Sequence, residues 1–394
     1  MKRCASLETR GLILILGAVL GVSAGFGSPA FARAYAYDPV IVNPDGEVTY
    51  LGTLGGPNTY AYGINDSGQV VGVSSIGDDT SHAFITGPNG MGMIDLGTLG
   101  GVSSGATGIN DSGQVVGYSY QGGVHAFITG PDGMGMTDLG TLGGNESLAY
   151  GINNSGQVVG RSDTADGPGH AFITGPNGMG MTDLGTLGGN ESLAYGINNS
   201  GQVVGRSDTA DGPWWHAFIT GPNGMGMTDL GTLGGIFSEA YGINDSGQVV
   251  GVSSTKELDR HGNYSSAHAF ITGPNSIGMT DLGTLGGDYS AAYGINDSGQ
   301  VMGYSTTAAG SLHAFITGPN GLGMTDLNSI ADMPNGFFLS SSAEIRTYGI
   351  NNLGQVITTV VPEPASYALM LAGLGLVGLM ARRKSAAGNI VARS

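Results

Sequence analysis

Short apolar segments alternate with glycine-rich polar turns along most of the chain, and the same order returns after about 45 residues. The tripeptide Gly-Ile-Asn begins at Gly63, Gly108, Gly151, Gly196, Gly242, Gly294 and Gly349. The tripeptide His-Ala-Phe begins at His82, His125, His170, His216, His268 and His313. A chain built from such copies is an array in which each unit buries its apolar face against its neighbours.

Each repeat predicts four short strands. They are rich in Val, Ile, Phe and Tyr, and turn sequences such as Asn-Asp-Ser-Gly and Gly-Pro-Asp-Gly separate them. In the second full repeat the predicted strands are Ala106–Asn110, Gln114–Ser119, His125–Thr129 and Met136–Leu139. Because no long helical period interrupts them, the pattern favours an all-β fold. Four short antiparallel strands per repeat are typical of one blade of a β-propeller.

The two ends of the repeat region complement each other. After six complete repeats, residues 348–351 and 355–359 supply the first two strands of another unit. Residues 40–46 and 48–51 match the missing third and fourth strands. We therefore expect a ring of seven blades whose closing blade is composite and which leaves no open sheet edge. The alternative is an open β-solenoid of the same units, which would need capping ends.

The net charge limits the classes of molecule that the chain can bind. Its formal net charge is −17, and residues 33–364 hold six basic against 29 acidic residues, a net of −23. Such a body repels nucleic acid and anionic lipid. It is compatible with divalent cations and with neutral or cation-bridged polysaccharide.

The N-terminus has the pattern of a secretory signal peptide, predicted over residues 1–32. Basic residues precede an apolar, short helical segment over Gly11–Phe26, and Ala30 and Ala32 form the A-x-A cleavage site. The alternative is a membrane anchor that is retained. The single cysteine, Cys4, lies in the segment to be removed, so the mature protein has no disulfide or thiolate chemistry.

The C-terminus carries a second targeting pattern. Its elements are Pro362, Glu363 and Pro364, an apolar run over 367–381 predicted as a short membrane helix, and Arg382, Arg383 and Lys384. This order resembles the PEP-CTERM sorting signal. The resemblance implies export, transient anchoring in the inner membrane and processing by an exosortase-type enzyme. Residues 385–394 would follow as a tail on the basic side.

The repeat itself resembles the HAF family of extracellular repeats, through its His-Ala-Phe and Gly-Ile-Asn signatures over residues 35–359. That family is named for its repeat and implies no activity. The expected organisation is thus a signal peptide (1–32), a HAF-repeat propeller (33–361), a PEP-CTERM signal (362–384) and a tail (385–394).

Variation between repeats is confined to one predicted face of the propeller. Loops between strands 1 and 2 and between strands 3 and 4 are nearly identical copies, whereas the other loops differ. Loops on a rigid scaffold carry recognition, although drift in unconstrained loops would look the same. The candidate binding residues there are the exposed aromatic pair Trp214 and Trp215 and, in an insertion, Lys256, Arg260, His261 and Tyr264. The alternatives are a Trp pair packed under a neighbouring blade and an insertion that is a solvated loop.

No metal or catalytic site emerges from the pattern. The acidic residues of the paired Asp-Thr-Ala-Asp-Gly loops, with calcium as the one cofactor to consider, are Asp163, Asp166, Asp208 and Asp211. Their spacing is too sparse for an EF-hand. The repeated histidines would lie far apart around the ring, so we expect each to pair within its blade with the repeated aspartate. Those aspartates are Asp95, Asp138, Asp183, Asp229, Asp281 and Asp326.

These patterns together predict an exported, surface- or matrix-associated protein that is not an enzyme and that binds or organises exopolysaccharide. Its expected partners are an exosortase-type enzyme, the export machinery and extracellular polysaccharide, with no nucleic acid. One alternative is a polysaccharide lyase or hydrolase at the central channel, which would require a convergent, unrepeated set of acid, base or metal ligands. The other is a purely structural surface protein without a ligand.

Overall fold

A computed structural model describes residues 38–77, 80–210, 212, 214–256, 266–332, 337–340 and 349–362. The predicted signal peptide, including Ala30 and Ala32, and residues 363–394 lie outside the described residues. Within the described part no helix is long and apolar enough to cross a membrane, and the predicted membrane segment at 367–381 is not included in it.

Antiparallel four-stranded sheets follow one another along the chain, and we number them as blades. Blade 1 contains β3 (Thr59–Ile64), β4 (Val70–Ser75), β5 (Ser81–Thr86) and β6 (Met93–Gly97). Blade 2 contains β7 (Ser104–Ile109), β8 (Val115–Tyr120), β9 (Val124–Thr129) and β10 (Met136–Asp138). Blade 3 contains β11 (Gly143–Ile152), β12 (Val158–Thr164), β13 (Gly169–Thr174) and β14 (Met181–Asp183).

Three further sheets have the same plan. Blade 4 contains β15 (Gly188–Ile197), β16 (Val203–Thr209), β17 (Trp215–Thr220) and β18 (Met227–Asp229). Blade 5 contains β19 (Ser238–Ile243), β20 (Val249–Ser254), β21 (Ala267–Thr272) and β22 (Met279–Asp281). Blade 6 contains β23 (Gly286–Ile295), β24 (Val301–Thr307), β25 (Leu312–Thr317) and β26 (Met324–Asp326). One parallel pair, Ala267 with Tyr289, links the sheets of blades 5 and 6.

The closing blade takes strands from both ends of the chain, as the sequence predicts. It contains β1 (Asp38–Val42), β2 (Val48–Tyr50), β27 (Phe337–Ser340), β28 (Gly349–Ile350) and β29 (Val356–Pro362). Strand β29 pairs antiparallel with β1, from Val42 opposite Val356 to Asp38 opposite Val360. The sequence did not predict β27, which pairs with residues 359–362 of β29, beyond the stretch of β29 that pairs with β28.

Short 3-10 turns connect strands 3 and 4 of each complete blade, and one more follows β26. In the described residues these turns are Pro88–Gly90, Pro131–Gly133, Pro176–Gly178, Pro222–Gly224, Pro274–Ser276, Pro319–Gly321 and Leu327–Ser329. The residue after proline in the first six turns has φ of 54–55°. Asn and Asp adopt this left-handed conformation more readily than other non-glycine residues, which explains why the repeat places them there.

The apolar core lies between blades rather than within them. The cluster between blades 2 and 3, for example, contains Val116, Ala126 and Ile128 from one blade and Val158 and Phe172 from the other, all at most 5% exposed. The phenylalanine of each His-Ala-Phe motif is fully buried in such a cluster. Each blade therefore needs its neighbour to bury its apolar face, as the repeat predicts.

Glycine allows the inner strands to approach one another. A Cβ on Gly151 would lie 2.9 Å from the carbonyl oxygen of Tyr195 in the next blade. Within blade 3, a Cβ on Gly160 would overlap the carbonyl oxygen of Leu148 on the neighbouring strand. Both glycines recur in the repeat because a side chain at either position would push strands or blades apart.

A circle of hydrogen bonds joins the inner turns around the channel. The asparagine Nδ2 of each Gly-Ile-Asn motif donates to the backbone carbonyl of the same asparagine in the next blade. The members of this circle, within the described residues, are Asn65, Asn110, Asn153, Asn198, Asn244, Asn296 and Asn351. The last bond runs from Asn351 back to Asn65 at 3.0 Å. The ring is therefore closed by contacts of the same kind as those that link consecutive blades.

Candidate binding site on the variable face

The two ends of the channel differ in chemistry. Each inner strand runs from the variable face, formed by the loops between strands 2 and 3 and the connections between blades, to the constant face, formed by the Asn-Asp-Ser-Gly and Gly-Pro-Asn-Gly turns. At the constant face a polar cavity of about 170 Å³ is lined by the Ile-Asn-Asp/Asn steps of the inner turns. Deeper in the channel, rings of glycine and isoleucine line a cavity of about 190 Å³ together with Tyr293.

The Asp and Asn residues that follow each Gly-Ile-Asn motif join neighbouring blades by hydrogen bonds at the constant face. Asp111 Oδ1 accepts the backbone N–H of Asp66 at 3.1 Å, and Asp245 Oδ1 accepts that of Asn199 at 2.9 Å. Asn352 continues the pattern by donating its backbone N–H to Asp66 at 2.8 Å. Within the described residues there is no group of three or more His, Cys, Asp or Glu side chains placed to hold a metal ion.

Each repeated histidine pairs with the repeated aspartate of its own blade, as the sequence predicts. The Nδ1 to carboxylate distances are 2.8, 2.8, 2.9, 2.8, 2.7 and 2.6 Å in blades 1 to 6. The aspartate also accepts a hydrogen bond from the backbone: in blade 3, Asp183 Oδ1 accepts the N–H of Gly185 at 2.7 Å. These pairs tie strand 3 to strand 4 in every complete blade and are part of the scaffold.

Blades 3 and 4 are nearly identical in sequence, and their one difference rearranges an arginine. In blade 3, Arg161 lies where a side chain on Gly169 would be and pairs with Asp163 at 3.2 Å. In blade 4, Trp215 stands at the position of Gly169, opposite Asp208 in the strand register. A side chain at this position overlaps the space that the guanidinium of Arg161 uses in blade 3.

Displaced by the indole, Arg206 reaches across to blade 5. Its Nη1 donates to Glu239 Oε1 at 3.1 Å, while its Cζ lies 4.6 Å above the centroid of the Trp215 ring, a cation–π distance. The Trp215 ring also packs against Phe237 of blade 5, with centroids 6.1 Å apart. A charged pair enclosed by aromatic rings thus forms at the junction of blades 4 and 5, where blade 3 has an internal ion pair.

Tyr241 belongs to the same junction through its hydrogen bond to Glu239. Its hydroxyl donates to Glu239 Oε2 at 2.9 Å. Burial and the Glu239 carboxylate hold the pKa of Tyr241 well above its usual value, so the phenol is neutral at neutral pH and remains a donor. Burial would lower the pKa of Arg206, but Tyr195, Glu239 and Tyr241 outweigh it and raise that pKa. The Arg206 guanidinium is therefore fully charged, and it lies 3.1 Å from Glu239 Oε1.

One polar atom at the junction has no partner. Trp215 Nε1 is buried and lacks a hydrogen-bond acceptor among the described residues. A buried unpaired donor costs about 1–3 kcal/mol.

The predicted site residues have different outcomes. The expected exposed Trp pair is half-buried instead, because Trp215 begins strand β17 and packs on the next blade, while Trp214 lies beside it at 6.3 Å. Lys256 is exposed. The remaining predicted binding residues Arg260, His261 and Tyr264, and the sorting residues Glu363, Pro364, Arg382, Arg383 and Lys384, lie outside the described residues. Pro362 is the last residue of β29.

The described carboxylates of the Asp-Thr-Ala-Asp-Gly loops are not brought together. Asp163 pairs with Arg161, and Asp208 Oδ2 accepts the backbone N–H of Glu191 at 3.2 Å. Asp166 is exposed, and Asp211 lies outside the described residues. Calcium at these loops remains a prediction from the sequence.

Sequence reasoning did not identify Arg206 and Glu239. A signal was present, since Glu239 stands where blades 3 and 4 carry Leu148 and Leu193. Glu239 is the second residue of β19, next to the connection from blade 4. Its partner could not be named, because the pairing depends on how Trp215 fills the space beside Arg206.

Comparison with known proteins supports the sorting signal and the fold. The PEP-CTERM protein-sorting motif is matched over residues 360–384, so it begins within strand β29. Such a motif implies export and a membrane-associated sorting step at the C-terminus. No curated protein matches the chain.

Several solved structures have a similar fold. The chain is similar to oligogalacturonate lyase from Vibrio parahaemolyticus, with 9% identity, a TM-score of 0.50 and coverage of 84% of this chain and 98% of that one. It is also similar to the β-propeller domain of the Trilobed protease from Pyrococcus furiosus (10%, 0.47, 74% and 94%) and to TolB from Acinetobacter baumannii (10%, 0.40, 78% and 80%). At these identities the likeness concerns the β-propeller fold alone.

Proposed function

We propose that this protein is a non-catalytic, surface- or matrix-associated propeller that binds extracellular polysaccharide through its variable face. The observation that carries the proposal is the blade 4–5 junction, where Arg206 and Glu239 lie among Trp215, Phe237 and Tyr241. Aromatic faces beside paired hydrogen-bonding groups suit sugar rings, which have apolar faces and hydroxyl edges.

The chemistry of the junction favours binding over catalysis. Glu239 accepts hydrogen bonds from both Arg206 and Tyr241, so its carboxylate is engaged rather than poised as a general base. The histidine–aspartate pairs recur at equivalent places in six blades and are separated around the ring. No observation on the described residues favours the lyase or hydrolase alternative over binding.

The sorting motif gives the setting of the proposal. An exosortase-type enzyme and the export machinery are the partners that it requires, and transient anchoring in the inner membrane would precede arrival at the cell surface or matrix. The strand directions also orient the two chain ends. In the closing blade β1 takes the place of the third strand, which starts at the variable face, and β29 takes the place of the second strand, which ends at that face.

A co-sedimentation assay with the exopolysaccharide of the producing organism, with and without EDTA, tests the proposal. The protein should bind, and the double variant Trp214→Ala/Trp215→Ala should lose at least about tenfold in affinity. Met179→Ala is the matched control, since Met179 is 73% exposed on the constant face. EDTA-sensitive binding would add calcium as a cofactor.

Two outcomes would contradict the proposal. Depolymerisation of the polysaccharide by the wild-type protein would establish an enzyme. Absence of both binding and cleavage would leave the purely structural alternative.

A further inference from the structure

A continuous band of tyrosines extends from the blade 4–5 junction around the mouth of the channel. Tyr150, Tyr195, Tyr241 and Tyr293 occupy the same position on the inner strands of blades 3 to 6. Their successive ring centroids are 5.5, 5.2 and 4.8 Å apart. All four rings are half-buried, so each presents part of its surface to solvent.

The band widens at blade 6. The ring of Tyr304 stacks on Tyr293 with a centroid distance of 5.4 Å and on Tyr289 with one of 5.7 Å. The hydroxyl of Tyr293 donates to that of Tyr304 at 3.1 Å, and Tyr304 donates to Tyr289 at 3.4 Å. Tyr304 is 4% exposed, so it supports the half-buried rings of Tyr289 and Tyr293 from beneath and adds no surface of its own.

The band ends at blade 2. There the equivalent residue is Thr107, whose hydroxyl donates to the carbonyl oxygen of Ala149 at 2.8 Å. Gly105 precedes it on the same strand, and the ring of Tyr118 fills the space that a side chain on Gly105 would need. The ring contacts of the band run from blade 3 to blade 6, and Tyr62 holds the same position on the inner strand of blade 1.

The charges in the band cancel. Its cation, Arg206, and its anion, Glu239, form one ion pair at 3.1 Å. Burial raises the pKa of Tyr289 and Tyr241 above the ordinary value, so these two phenols add no charge. The whole chain carries a net charge of −17, so a polyanion approaching this face would be repelled, and Arg206, the cation of the band within the described residues, is already paired.

We propose that the aromatic band binds several consecutive units of a neutral polysaccharide chain laid across blades 3 to 6, with the Trp215 junction as one subsite. This inference rests on the proposed function and deepens it, because it names a neutral chain and an extended site. Stacking rings and hydroxyl pairs spaced along an arc match a polymer better than a single sugar.

The test uses the full-length protein and the exopolysaccharide of the producing organism, separated by anion exchange into neutral and acidic fractions and partly hydrolysed into size classes. Calorimetric affinity should rise with chain length in the neutral fraction. It should be at least about tenfold weaker for the acidic fraction of equal size.

Variants at the far end of the band separate the extended site from the junction. Tyr150→Ala should weaken binding of the longer neutral fragments roughly threefold to tenfold and leave the shortest ones unaffected. Tyr150→Phe keeps the ring and should retain most of the affinity, which guards against a folding defect. Met179→Ala on the constant face should bind like the wild type.

Binding that does not depend on length, or that is unchanged in Tyr150→Ala, would overturn the extended site while leaving the proposed function in place. Preference for the acidic fraction would overturn the neutral ligand. Failure of every fraction to bind would remove the proposed function as well.

Discussion

Replacing Glu239 by leucine tests the rearranged arginine most sharply, because leucine is what blades 3 and 4 carry at this position. In Glu239→Leu, Arg206 loses its ion-pair partner and Tyr241 loses its acceptor. The Arg206 and Glu239 side chains are 28% and 13% exposed, between a surface and a buried pair. We therefore expect a loss of about 1–2 kcal/mol in the free energy of unfolding.

Blade 3 supplies the compensating change. Deletion of Trp214 together with Trp215→Gly copies the blade 3 loop and opens the space beside Arg206. In the combined variant Arg206 can fall back and pair with Asp208, as Arg161 pairs with Asp163. The combined loss should be smaller than the sum of the separate losses by about 1 kcal/mol.

Equilibrium urea unfolding of the wild type, the two variants and their combination measures this coupling. Glu146→Leu is the control, since Glu146 is exposed in blade 3 and should change stability by less than about 0.5 kcal/mol. Losses that add to within about 0.3 kcal/mol would refute the reasoning. Arg206 would then gain nothing from the removal of the indole.

Three further predictions concern the scaffold and its orientation. Gly160→Ala should lower the free energy of unfolding by more than about 3 kcal/mol, because the added Cβ would overlap a backbone carbonyl. Gly140→Ala should lower it by only about 1–2 kcal/mol, because Gly140 has φ of +74° but open space around its Cβ position. Urea unfolding that ranks the two variants equally would contradict this. Asn351→Ala should lower the free energy of unfolding by about 2–3 kcal/mol, since this buried side chain closes the circle of hydrogen bonds. An unchanged urea midpoint would show that the ring is closed by other contacts. Only four residues separate Pro362 from the apolar run that begins at Tyr367, and they span at most about 18 Å. Because β29 ends at the variable face, protein anchored in vesicles should hold that face near the membrane and bind polysaccharide less well than the processed form. Equal binding would show that the variable face is not turned toward the membrane.

The regular part of the fold could be predicted because it depends on local patterns. Strand β8 spans Val115–Tyr120 where the sequence predicted Gln114–Ser119, since a run of valine and tyrosine residues after a turn marks the strand locally. The pairing of β1 with β29 followed from matching the two chain ends to the repeat. The histidine–aspartate pairs followed from their constant separation on adjacent strands.

The binding site could be predicted only in part, because it depends on contacts between blades. The sequence drew attention to Trp215 but placed it in an exposed loop, since the register that sets it opposite Asp208 is a property of the sheet. Arg206 and Arg161 have the same neighbours in sequence yet different partners. Two differences distinguish them: the space left or filled by residue 169 or 215, and Glu239 in blade 5 where blade 4 carries Leu193.

Hydrogen–deuterium exchange with and without the neutral polysaccharide fraction tests the central claim most directly. The account predicts protection in residues 203–209, 215–220 and 238–243, which form the blade 4–5 junction, with smaller effects on β11 and β23. The turns of the constant face should exchange as in the free protein. Protection confined to those turns, or none anywhere under conditions in which the polymer is bound, would contradict the assignment of the variable face as the binding surface.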